Sequence, residues 1–492
     1  MRTSDIAVVG AGPAGLAVAT LLARAGHRVV LLERFDQAAP VGAGFMLQPT
    51  GLAVLDAMGL TAEVEARAQP IDRLFGREAR RGRIVLDVGY AALSRPRRAL
   101  GVHRATLFHV IHRAALDAGV TLETGREIVG ADAGRLTDAS GRTGPVFDLV
   151  VDASGARSAL AASHGSRRHE LAYGALWATV PWPGAPFDPH ALEQVYRGAA
   201  KMIGVLPVGR QPGRDQRLAT FFWSLKTASY ADWRAAGLDV WKAEVRTLWP
   251  EVAPVLDSLT DADQLTLARY GHHTLARPVA DRLSVIGDAA HSTSPQLGQG
   301  VNMGLLDAFA LSQALADHAD LDQALAAYAA ARRWHIRLYQ ALSLGFTPFY
   351  QADGRLLPWA GQAGPPAAGR PPAGRHRLGP AARSPSPGAG SPSGPALIIV
   401  HHRRDHVRLS LHRRRNGLCP CPDPGCHRAG SIRRHGPGAD ISGRLSLCRD
   451  HGRLPSAREL RRALDTLGRR HLASRERCLG QPGALVCRQG CG

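Results

Sequence analysis

Residues 287–302 read Gly-Asp-Ala-Ala-His-Ser-Thr-Ser-Pro-Gln-Leu-Gly-Gln-Gly-Val-Asn and follow a short apolar run, residues 283–286. The apolar run predicts a buried strand, and the spacing of apolar residues from Val301 onward predicts a helix. Asp288 therefore stands at the end of a strand, and a glycine-rich turn opens the helix. A helix start offers free backbone N–H groups and the positive end of a dipole. The stretch thus predicts a strand–turn–helix unit that favours an anionic ligand.

The N-terminal residues predict a second unit of this kind. Residues 6–9 form a predicted strand, residues 10–15 read Gly-Ala-Gly-Pro-Ala-Gly, and an apolar-faced helix follows and ends at Gly26. In a G-x-G-x-x-G turn the glycines allow a tight turn, close approach of a pyrophosphate and packing of helix on strand. Glu33 closes the next strand, where an acid about 20 residues after the turn accepts hydrogen bonds from a ribose. This unit predicts a dinucleotide site, and on its own it suits NAD and FAD equally.

Residues 287–302 resemble the second FAD-binding motif of the flavin-dependent aromatic hydroxylases, the p-hydroxybenzoate hydroxylase-like monooxygenases. In that family the aspartate binds the ribityl chain, and the turn and helix start face the flavin ring. The resemblance therefore favours FAD over NAD. It also implies that Glu33 and Arg34 stand at the adenosine half and that Arg104 contacts the phosphates. The expected cofactor-binding residues are Gly10, Ala11, Gly12, Pro13, Ala14, Gly15, Glu33, Arg34, Arg104, Asp288, Pro295, Gly298, Gly300, Val301 and Asn302.

The same resemblance implies the activity. NAD(P)H would reduce bound FAD, O₂ would add to give a flavin hydroperoxide, and one oxygen would pass to an aromatic or polyketide-like small molecule. The expected enzyme is an FAD-dependent monooxygenase with a small aromatic or polycyclic substrate. The sequence contains no Ser-His-Asp or paired-carboxylate constellation that must be catalytic, so no catalytic residue is named. His291 is expected to be structural within its turn.

One motif departs from the family pattern. Residues 152–158 read Asp-Ala-Ser-Gly-Ala-Arg-Ser, where many relatives read Ala-Asp-Gly in a motif associated with FAD and NAD(P)H pyrophosphate. Ser154 stands in place of the aspartate, and Ala161 stands where an arginine is usual. The departure supports an alternative, another flavin oxidoreductase of a halogenase-like or reductase-like kind. A further alternative is a truncated FAD-binding protein without turnover, which the unusual C-terminal sequence suggests.

The predicted fold class is α/β, with a Rossmann-like FAD-binding domain and an inserted, mostly antiparallel β-sheet substrate domain. The first part of the FAD-binding domain is predicted at residues 1–170, with a hairpin insertion at about 70–101. The substrate-covering sheet is predicted at residues 171–275, where most tryptophans and several short β-like runs occur. Residues 276–359 are expected to complete the FAD-binding domain and to add C-terminal helices.

Four aromatic residues of the predicted substrate sheet are candidates for an apolar wall over the flavin. Aromatic residues in a strand more often belong to an ordinary core, so both interpretations stay open. The four residues are Trp177, Phe221, Phe222 and Trp223.

Residues 360–492 differ from the rest of the chain. They contain no Phe, Tyr or Trp, and residues 361–492 hold 24 Arg against seven Asp and Glu, so most of the net charge of +20 belongs to them. Such a segment cannot bury enough apolar surface to offset the entropy of ordering it. We therefore predict a low-complexity, basic Arg/Gly/Pro-rich tail that is disordered or results from a frameshift. Its arginine runs lack interleaved aromatics, so no specific nucleic-acid partner is expected.

The cysteine distribution does not indicate a metal site. All seven cysteines lie in the tail, and their spacing matches none of the paired C-x₂-C patterns of zinc sites. No apolar run reaches the length of a membrane span, and the N-terminus lacks the pattern of a signal peptide. We expect a cytoplasmic protein without a membrane span or a bound metal. The oligomeric state is left open.

Overall fold

The computed structural model describes residues 3–40, 42–90, 98–350, 398–403 and 406–411. All described residues belong to one unit, within residues 1–414. The predicted tail, residues 360–492, lies outside the described residues apart from one antiparallel hairpin. Its predicted disorder or altered reading frame therefore stays a prediction.

The strands in chain order are β1 (Asp5–Val9), β2 (Arg28–Leu32), β3 (Phe45–Leu47), β4 (Gln69–Ile71), β5 (Arg73–Glu78), β6 (Ile84–Gly89), β7 (Ala99–Val102), β8 (Thr121–Glu123), β9 (Ile128–Asp132), β10 (Arg135–Asp138), β11 (Thr143–Val146), β12 (Leu149–Asp152), β13 (His169–Pro181), β14 (Ala191–Arg197), β15 (Lys201–Gly209), β16 (Leu218–Lys226), β17 (Thr266–His272), β18 (Val279–Ala280), β19 (Leu283–Val285), β20 (Ile398–Arg403) and β21 (His406–Leu411). The helices in chain order are α1 (Pro13–Arg24), α2 (Pro49–Ala57), α3 (Thr61–Glu65), α4 (Arg104–Asp117), α5 (Ala159–Ser163), α6 (Tyr230–Ala236), α7 (Leu238–Leu248), α8 (Ala253–Asp257), α9 (Asp288–His291), α10 (Gly300–Asp317) and α11 (Leu321–Tyr350).

A six-stranded sheet brings the two glycine-rich turns to one edge. Its strand order is β18-β19-β12-β1-β2-β8. All neighbouring pairs run parallel except β18 and β19. Parallel strands end at the same edge of a sheet, and ligands of such sheets bind outside their carboxyl ends. The turn after β1 and the turn after β19 therefore lie on either side of the end of β12.

Both faces of this sheet are buried, which explains why its strands read as continuous apolar runs. Along β1, Val8 belongs to the core under α1, α4 and α10. Val9 points to the opposite face, which is covered by α5 and the small antiparallel sheet β9–β11. The alternation follows from the two-residue period of a strand. Rigid packing on both faces fixes the positions of the two turns.

A seven-stranded sheet of order β17-β13-β16-β15-β14-β5-β6 forms the second large layer. Its neighbouring strands are antiparallel except β14 and β5, which run parallel. The predicted short runs are in fact long strands, since β13 spans thirteen residues. The sequence interpretation also missed helices α6, α7 and α8, which cover the far face of this sheet. A helical period was present in α7, where Trp241 and Val245 are four residues apart and both buried.

The four aromatic candidates for a wall lie on opposite faces of this sheet. The rings of Trp177 and Phe222 face each other with centroids 4.9 Å apart. Phe221 and Trp223 point the other way and pack against Trp241 of α7. Successive residues of a strand alternate between faces, so β16 cannot direct Phe221, Phe222 and Trp223 to one side. Of the two interpretations left open by the sequence, the core interpretation therefore applies to Phe221 and Trp223.

Candidate functional site

The first glycine-rich turn is closed by direct backbone contact. A Cβ atom on Gly10, whose φ is +100°, would lie 2.7 Å from the carbonyl oxygen of Ala153. A Cβ on Gly15 would lie 1.9 Å from the carbonyl oxygen of Gly10. A Cβ on Gly12, in contrast, would meet no atom of the described residues within 4 Å. Gly10 and Gly15 thus build the turn, and Gly12 leaves open space in front of it.

The N-terminus of α1 has the chemistry of an anion site. Gly12 occupies the N-cap position without a side-chain cap, and the first turn contains no acidic residue. Pro13 fits the first helical position because its missing N–H would have no partner there. The N–H groups of Ala14 and Gly15 lie in the first turn, where an α-helix leaves such donors unpaired. A phosphate group would supply the acceptor that these donors need.

Glu33 is tied to this turn at the end of β2. Its Oε2 atom accepts a hydrogen bond of 2.8 Å from the Ala11 N–H, and its Oε1 atom accepts one of 3.2 Å from the Phe35 N–H. The carboxylate thus stands beside the open space at Gly12. Arg34 is exposed, and its guanidinium lies 4.6 Å from the centre of the Phe35 ring.

The second turn presents a free carboxylate. Gly287 has a φ of +60° and lies between β19 and the short helix α9, which begins at Asp288. Asp288 is exposed, and no group among the described residues forms a hydrogen bond or an ion pair with it. Its Oδ1 atom lies 3.8 Å from the position of a Cβ on Gly300. A carboxylate held at a strand end without a protein partner is an acceptor for the hydroxyl groups of a ligand.

The turn from Pro295 to Gly300 leads into α10, and one of its glycines has a left-handed backbone conformation. Pro295 starts a short 3₁₀ turn, and Gly298 ends it with a φ of +59°. Helix α10 begins at Gly300, has no side-chain cap and carries no acidic residue in its first turn. Val301 is half-buried next to the apolar core. The N-terminus of α10 therefore offers unpaired N–H groups beside Asp288.

Asn302 is the buried link between this turn and β3. Its Oδ1 atom accepts the Gln48 N–H at 2.9 Å. Its Nδ2 atom donates to the carbonyl oxygens of Met46 and Gly298 at 3.2 and 3.1 Å. The side chain is fully buried. Asn302 thus uses its side chain within the protein, and it fixes the position of the turn.

The two glycine-rich turns meet at Ala14. A Cβ on Gly287 would lie 3.2 Å from the Ala14 Cβ, and a Cβ on Gly304 would lie 3.1 Å from the same atom. Ala14 therefore fits into a notch between the turn after β19 and helix α10. Bulkier residues at Gly287 or Gly304 would push α1 away. This contact joins the two halves of the predicted dinucleotide site.

Arg104 lies in the same cleft, at the start of α4. Its Nε atom is 3.4 Å from the Ala43 carbonyl oxygen, and its guanidinium lies 5.3 Å from the centre of the Phe45 ring. Burial lowers the pKa of Arg104, and the charge of Asp288 opposes this shift. The two charges thus influence each other. The roles of Arg104 at the phosphates and of Asp288 at the ribityl chain stay predictions.

A buried carboxylate supports the second turn from behind. Asp307 of α10 is fully buried and accepts the Gly287 N–H at 2.9 Å. It also pairs with the His291 ring and accepts a hydrogen bond of 2.6 Å from Arg332 Nε. Burial alone would raise the pKa of Asp307, but the charges and hydrogen bonds of His291 and Arg332 outweigh it and lower the pKa below the usual range. Asp307 thus links Gly287, His291 and Arg332 behind the second turn.

The departure at Ser154 is accompanied by a second carboxylate that sequence reasoning missed. Asp152 is fully buried at the end of β12. It accepts hydrogen bonds from the N–H and the hydroxyl of Ser154 at 3.0 and 2.6 Å, and it also accepts one from the Ser158 hydroxyl. Burial raises the pKa of Asp152, and these hydrogen bonds oppose the shift. The signal in the sequence was an acidic residue at the end of an apolar strand.

The seven-stranded sheet closes over the site. The Gly44 N–H donates to Thr220 Oγ1 at 2.8 Å, which joins the loop before β3 to β16. Trp177 and Thr179 lie on the same face, and Trp177 Nε1 donates to the Tyr270 hydroxyl at 2.7 Å. Trp177 and Phe222 form an aromatic surface on the side of Gly44, next to Thr179. This surface can cover a planar ligand.

Two classes of site have no counterpart in the described ranges. No group of three or more His, Cys, Asp and Glu side chains is placed to hold a metal ion there. The helices of these ranges also lack the combination of length and hydropathy that a membrane crossing requires. The tail cysteines lie outside the described residues.

Comparison with known proteins gives the family. Residues 3–340 match the sequence model of the family described as FAD binding domain. The chain is 30% identical over 358 residues to 2-heptyl-3-hydroxy-4(1H)-quinolone synthase of Mycobacteroides abscessus, covering 70% of this chain and 90% of that protein. The chain belongs to the family of FAD-dependent aromatic hydroxylases. This FAD-dependent hydroxylase is also 30% identical over 417 residues to kynurenine 3-monooxygenase of Salinispora arenicola, covering 73% of this chain and 86% of that protein.

Solved structures agree with this family. The tetrameric form of 2-methyl-3-hydroxypyridine-5-carboxylic acid oxygenase is similar with a TM-score of 0.61 and 25% identity, covering 70% of this chain and 91% of that chain. The hydroxylase is therefore an α/β flavoprotein and an oxidoreductase of the monooxygenase type. Its bound cofactor is FAD, and NAD(P)H is the reductant typical of the family.

Proposed function

We propose that the cleft between the two glycine-rich turns holds FAD in the manner that the sequence predicts. The proposal rests on the position of Ala14, which packs between Gly287 and Gly304. This packing brings the uncapped N-terminus of α1 close to Asp288, which has no hydrogen-bond or ion-pair partner among the described residues. The donor set fits the cofactor, because N–H groups suit a pyrophosphate and a free carboxylate suits ribityl hydroxyls. The proposed contacts are Gly10, Ala11, Gly12, Pro13, Ala14, Gly15 and Arg104 to the phosphates, Glu33 and Arg34 to the adenosine half, and Asp288, Pro295, Gly298, Gly300 and Val301 to the ribityl chain and ring. The buried Asn302 would hold this last turn in place.

Bound FAD would supply the redox chemistry, in which NAD(P)H is oxidised, one atom of O₂ enters the substrate and the other leaves as water. The chain's own residues bind, orient and exclude water. The uncapped N-terminus of α10 favours negative charge at the ring. Arg104 compensates phosphate charge from a half-buried position. The aromatic face of the seven-stranded sheet keeps water from the reacting atoms.

We propose a small aromatic or polyketide-like substrate that lies between the ring and the sheet. The apolar face with Trp177, Phe222 and Tyr270 supports a planar molecule. The names of the relatives include a quinolone synthase, kynurenine 3-monooxygenases and 6-methylpretetramide 4-monooxygenase of Streptomyces rimosus. Residues 1–170 and 276–359 are proposed as the FAD-binding domain and residues 171–275 as the substrate domain. A cytoplasmic location is part of this proposal.

The halogenase-like or reductase-like alternative rests on Ser154. Its hydroxyl donates to the buried carboxylate of Asp152, two residues earlier in the chain. This arrangement leaves an uncharged group at the surface of the turn. Its effect is expected on the use of the reductant. The names of several relatives are those of monooxygenases and hydroxylases, which favours the leading proposal.

The experiment that tests the proposal is anaerobic titration of the purified protein with NADPH, followed by exposure to O₂ with aromatic compounds present. Visible flavin absorbance that bleaches with NADPH and returns with O₂ supports the proposal when one added compound gains an oxygen atom by mass spectrometry. Flavin that neither NADPH nor NADH reduces, with any compound present, contradicts it. A protein that retains FAD only weakly and oxidises none of the compounds supports the alternative without turnover.

A further inference from the structure

One side of α11 carries a row of polar side chains in the middle of a buried interface. Arg332, Gln340, Ser343 and Thr347 are separated by eight, three and four residues, with Ile336 between the first two. Residues with these spacings lie on one face of a helix. Arg332, Ser343 and Thr347 are buried, and Gln340 is half-buried. We call these four polar residues the α11 stripe.

The amide of Gln340 contacts two consecutive residues of the turn from Gly287 to Pro295. Its Nε2 atom donates to the carbonyl oxygens of His291 and Ser292 at 2.9 and 3.1 Å. It also lies 3.2 Å from the carbonyl oxygen of His273, the residue after β17. The His291 and Ser292 carbonyls stand at the C-terminal end of the short helix α9, which begins at Asp288. One side chain thus fixes the backbone directly after the proposed ribityl contact.

Two hydroxyls of the stripe hold the next residues of the turn. Ser343 Oγ lies 2.8 Å from Ser294 Oγ and also accepts a hydrogen bond from the Thr293 hydroxyl. Thr347 Oγ1 lies 2.9 Å from Ser294 Oγ. These contacts end one residue before Pro295, where the turn reaches the proposed ring site.

Arg332 acts on the beginning of the turn through Asp307. The guanidinium donates to one oxygen of Asp307 at 2.6 Å, and the other oxygen accepts the Gly287 N–H and pairs with His291. A buried carboxylate with three such partners has a defined orientation, because each partner satisfies one of its acceptor sites. Arg332 of α11 thus holds Gly287, the residue before Asp288, indirectly through the Asp307 carboxylate.

We propose that the α11 stripe, together with Asp307 of α10, positions the turn from Gly287 to Pro295 for FAD, with Gln340 and Asp307 as positioning residues. The stripe contacts the turn directly from His291 to Ser294 and reaches Gly287 through Asp307. Neither residue is a catalytic residue, since each acts through the turn. The inference rests on the proposed placement of FAD at Asp288, and it adds supporting residues from α11 to that site.

The test uses full-length Gln340→Met, which keeps the volume of the side chain and removes the donor. Gln323→Met on the exposed side of α11 is the matched control, and Asp307→Asn is a second variant that keeps the shape of the carboxylate. Apoprotein of each is titrated with FAD by quenching of flavin fluorescence. At saturating FAD, the visible circular dichroism of the bound flavin and its reduction potential are measured, because a role limited to folding would leave both unchanged.

We expect Gln340→Met and Asp307→Asn to raise the Kd for FAD by about tenfold, to change the visible circular dichroism and to shift the potential. Gln323→Met should match the wild type in all three. Unchanged affinity, or weaker affinity with an unchanged spectrum and potential at saturation, would overturn the inference. Asp288→Asn separates the two levels of proposal: if it binds FAD like the wild type, the placement of FAD fails; if it binds weakly while the stripe variants do not, the stripe fails alone.

Discussion

Gly10 and Gly15 touch through their backbones, since a Cβ on Gly15 would lie 1.9 Å from the carbonyl oxygen of Gly10. This contact lets α1 start directly against the end of β1. The carbonyl belongs to a rigid strand end and cannot move aside as a flexible side chain could. The glycine is therefore a requirement of the fold as well as of the cofactor.

Gly15→Ala is expected to destabilise the apoprotein by about 1–3 kcal/mol, the usual range for overpacking. The midpoint of urea unfolding measures the effect. Gly12→Ala provides the comparison, because its new methyl group meets no protein atom within 4 Å. That variant should unfold like the wild type but bind FAD more weakly, since the methyl group enters the space of the ligand. An apoprotein of Gly15→Ala as stable as the wild type would contradict the contact.

Asp288→Asn is expected to raise the Kd for FAD by about ten- to a hundredfold, the equivalent of losing a hydrogen bond to a charged group. The unfolding free energy of the apoprotein should not change, because Asp288 is exposed and has no partner among the described residues. Equilibrium titration with FAD measures the affinity. Asp281→Asn, at the other end of β19, should bind FAD normally.

Phe222→Leu and Phe221→Leu form a matched pair on neighbouring residues of β16. Phe222 faces Trp177 on the side of the site, so its loss should raise the KM for an aromatic substrate by about fivefold with little effect on FAD binding. Phe221 packs against Trp241 on the far side, so its loss should lower stability and leave KM unchanged. Steady-state kinetics and urea unfolding distinguish the two. Equal effects of both variants on KM would contradict the proposed substrate face.

The stability of the protein should depend on His335 at acidic pH. Burial and the neighbouring Arg332 charge lower the pKa of His335 to about 3. The unfolded chain therefore binds a proton at His335 below about pH 6.5, whereas the folded chain binds it only near pH 3. The contribution of the neutral His335 to the unfolding free energy is present above about pH 6.5 and is lost as the pH falls toward about 3. His335→Gln should flatten the pH dependence by at most about 1.4 kcal/mol per unit.

Urea unfolding of wild type and His335→Gln, compared at several pH values below neutrality, measures this difference. The control is His109→Gln, which replaces an exposed histidine of α4. It should follow the wild type. Parallel curves for wild type and His335→Gln would show that the buried ring does not resist protonation.

The two turns and the parallel sheet could be predicted from sequence because their signals are local. Residues 10–15 and 287–302 each combine a strand end, glycines and a helix start within a few residues. The contacts between them could not be predicted, because Ala14 meets Gly287 and Gly304 only after distant strands have paired. The support from α11 was missed for the same reason.

The composition of a strand also does not show which of its residues face the site and which face away from it. Phe221, Phe222 and Trp223 are equally apolar, so only the partner on each face decides which of them lines a site. Asp152 shows the converse case. A charged residue fully buried between two strands was visible in the sequence, but its role depends on the Ser154 and Ser158 hydroxyls that fold back onto it.

The hold of α11 on the cofactor turn has a consequence for biosynthesis. The turn from Gly287 to Pro295 is synthesised before Gln340 and Ser343, which contact it. Strand β12, which pairs with β19 just before the turn, is synthesised earlier still. The nascent chain can therefore form its N-terminal phosphate turn early, yet the second half of the site lacks its partners until α11 has been synthesised. Such non-local pairings form slowly and expose apolar surface while they wait. If this turn binds FAD as proposed, stable capture of the cofactor has to follow the synthesis of α11, which ends at Tyr350.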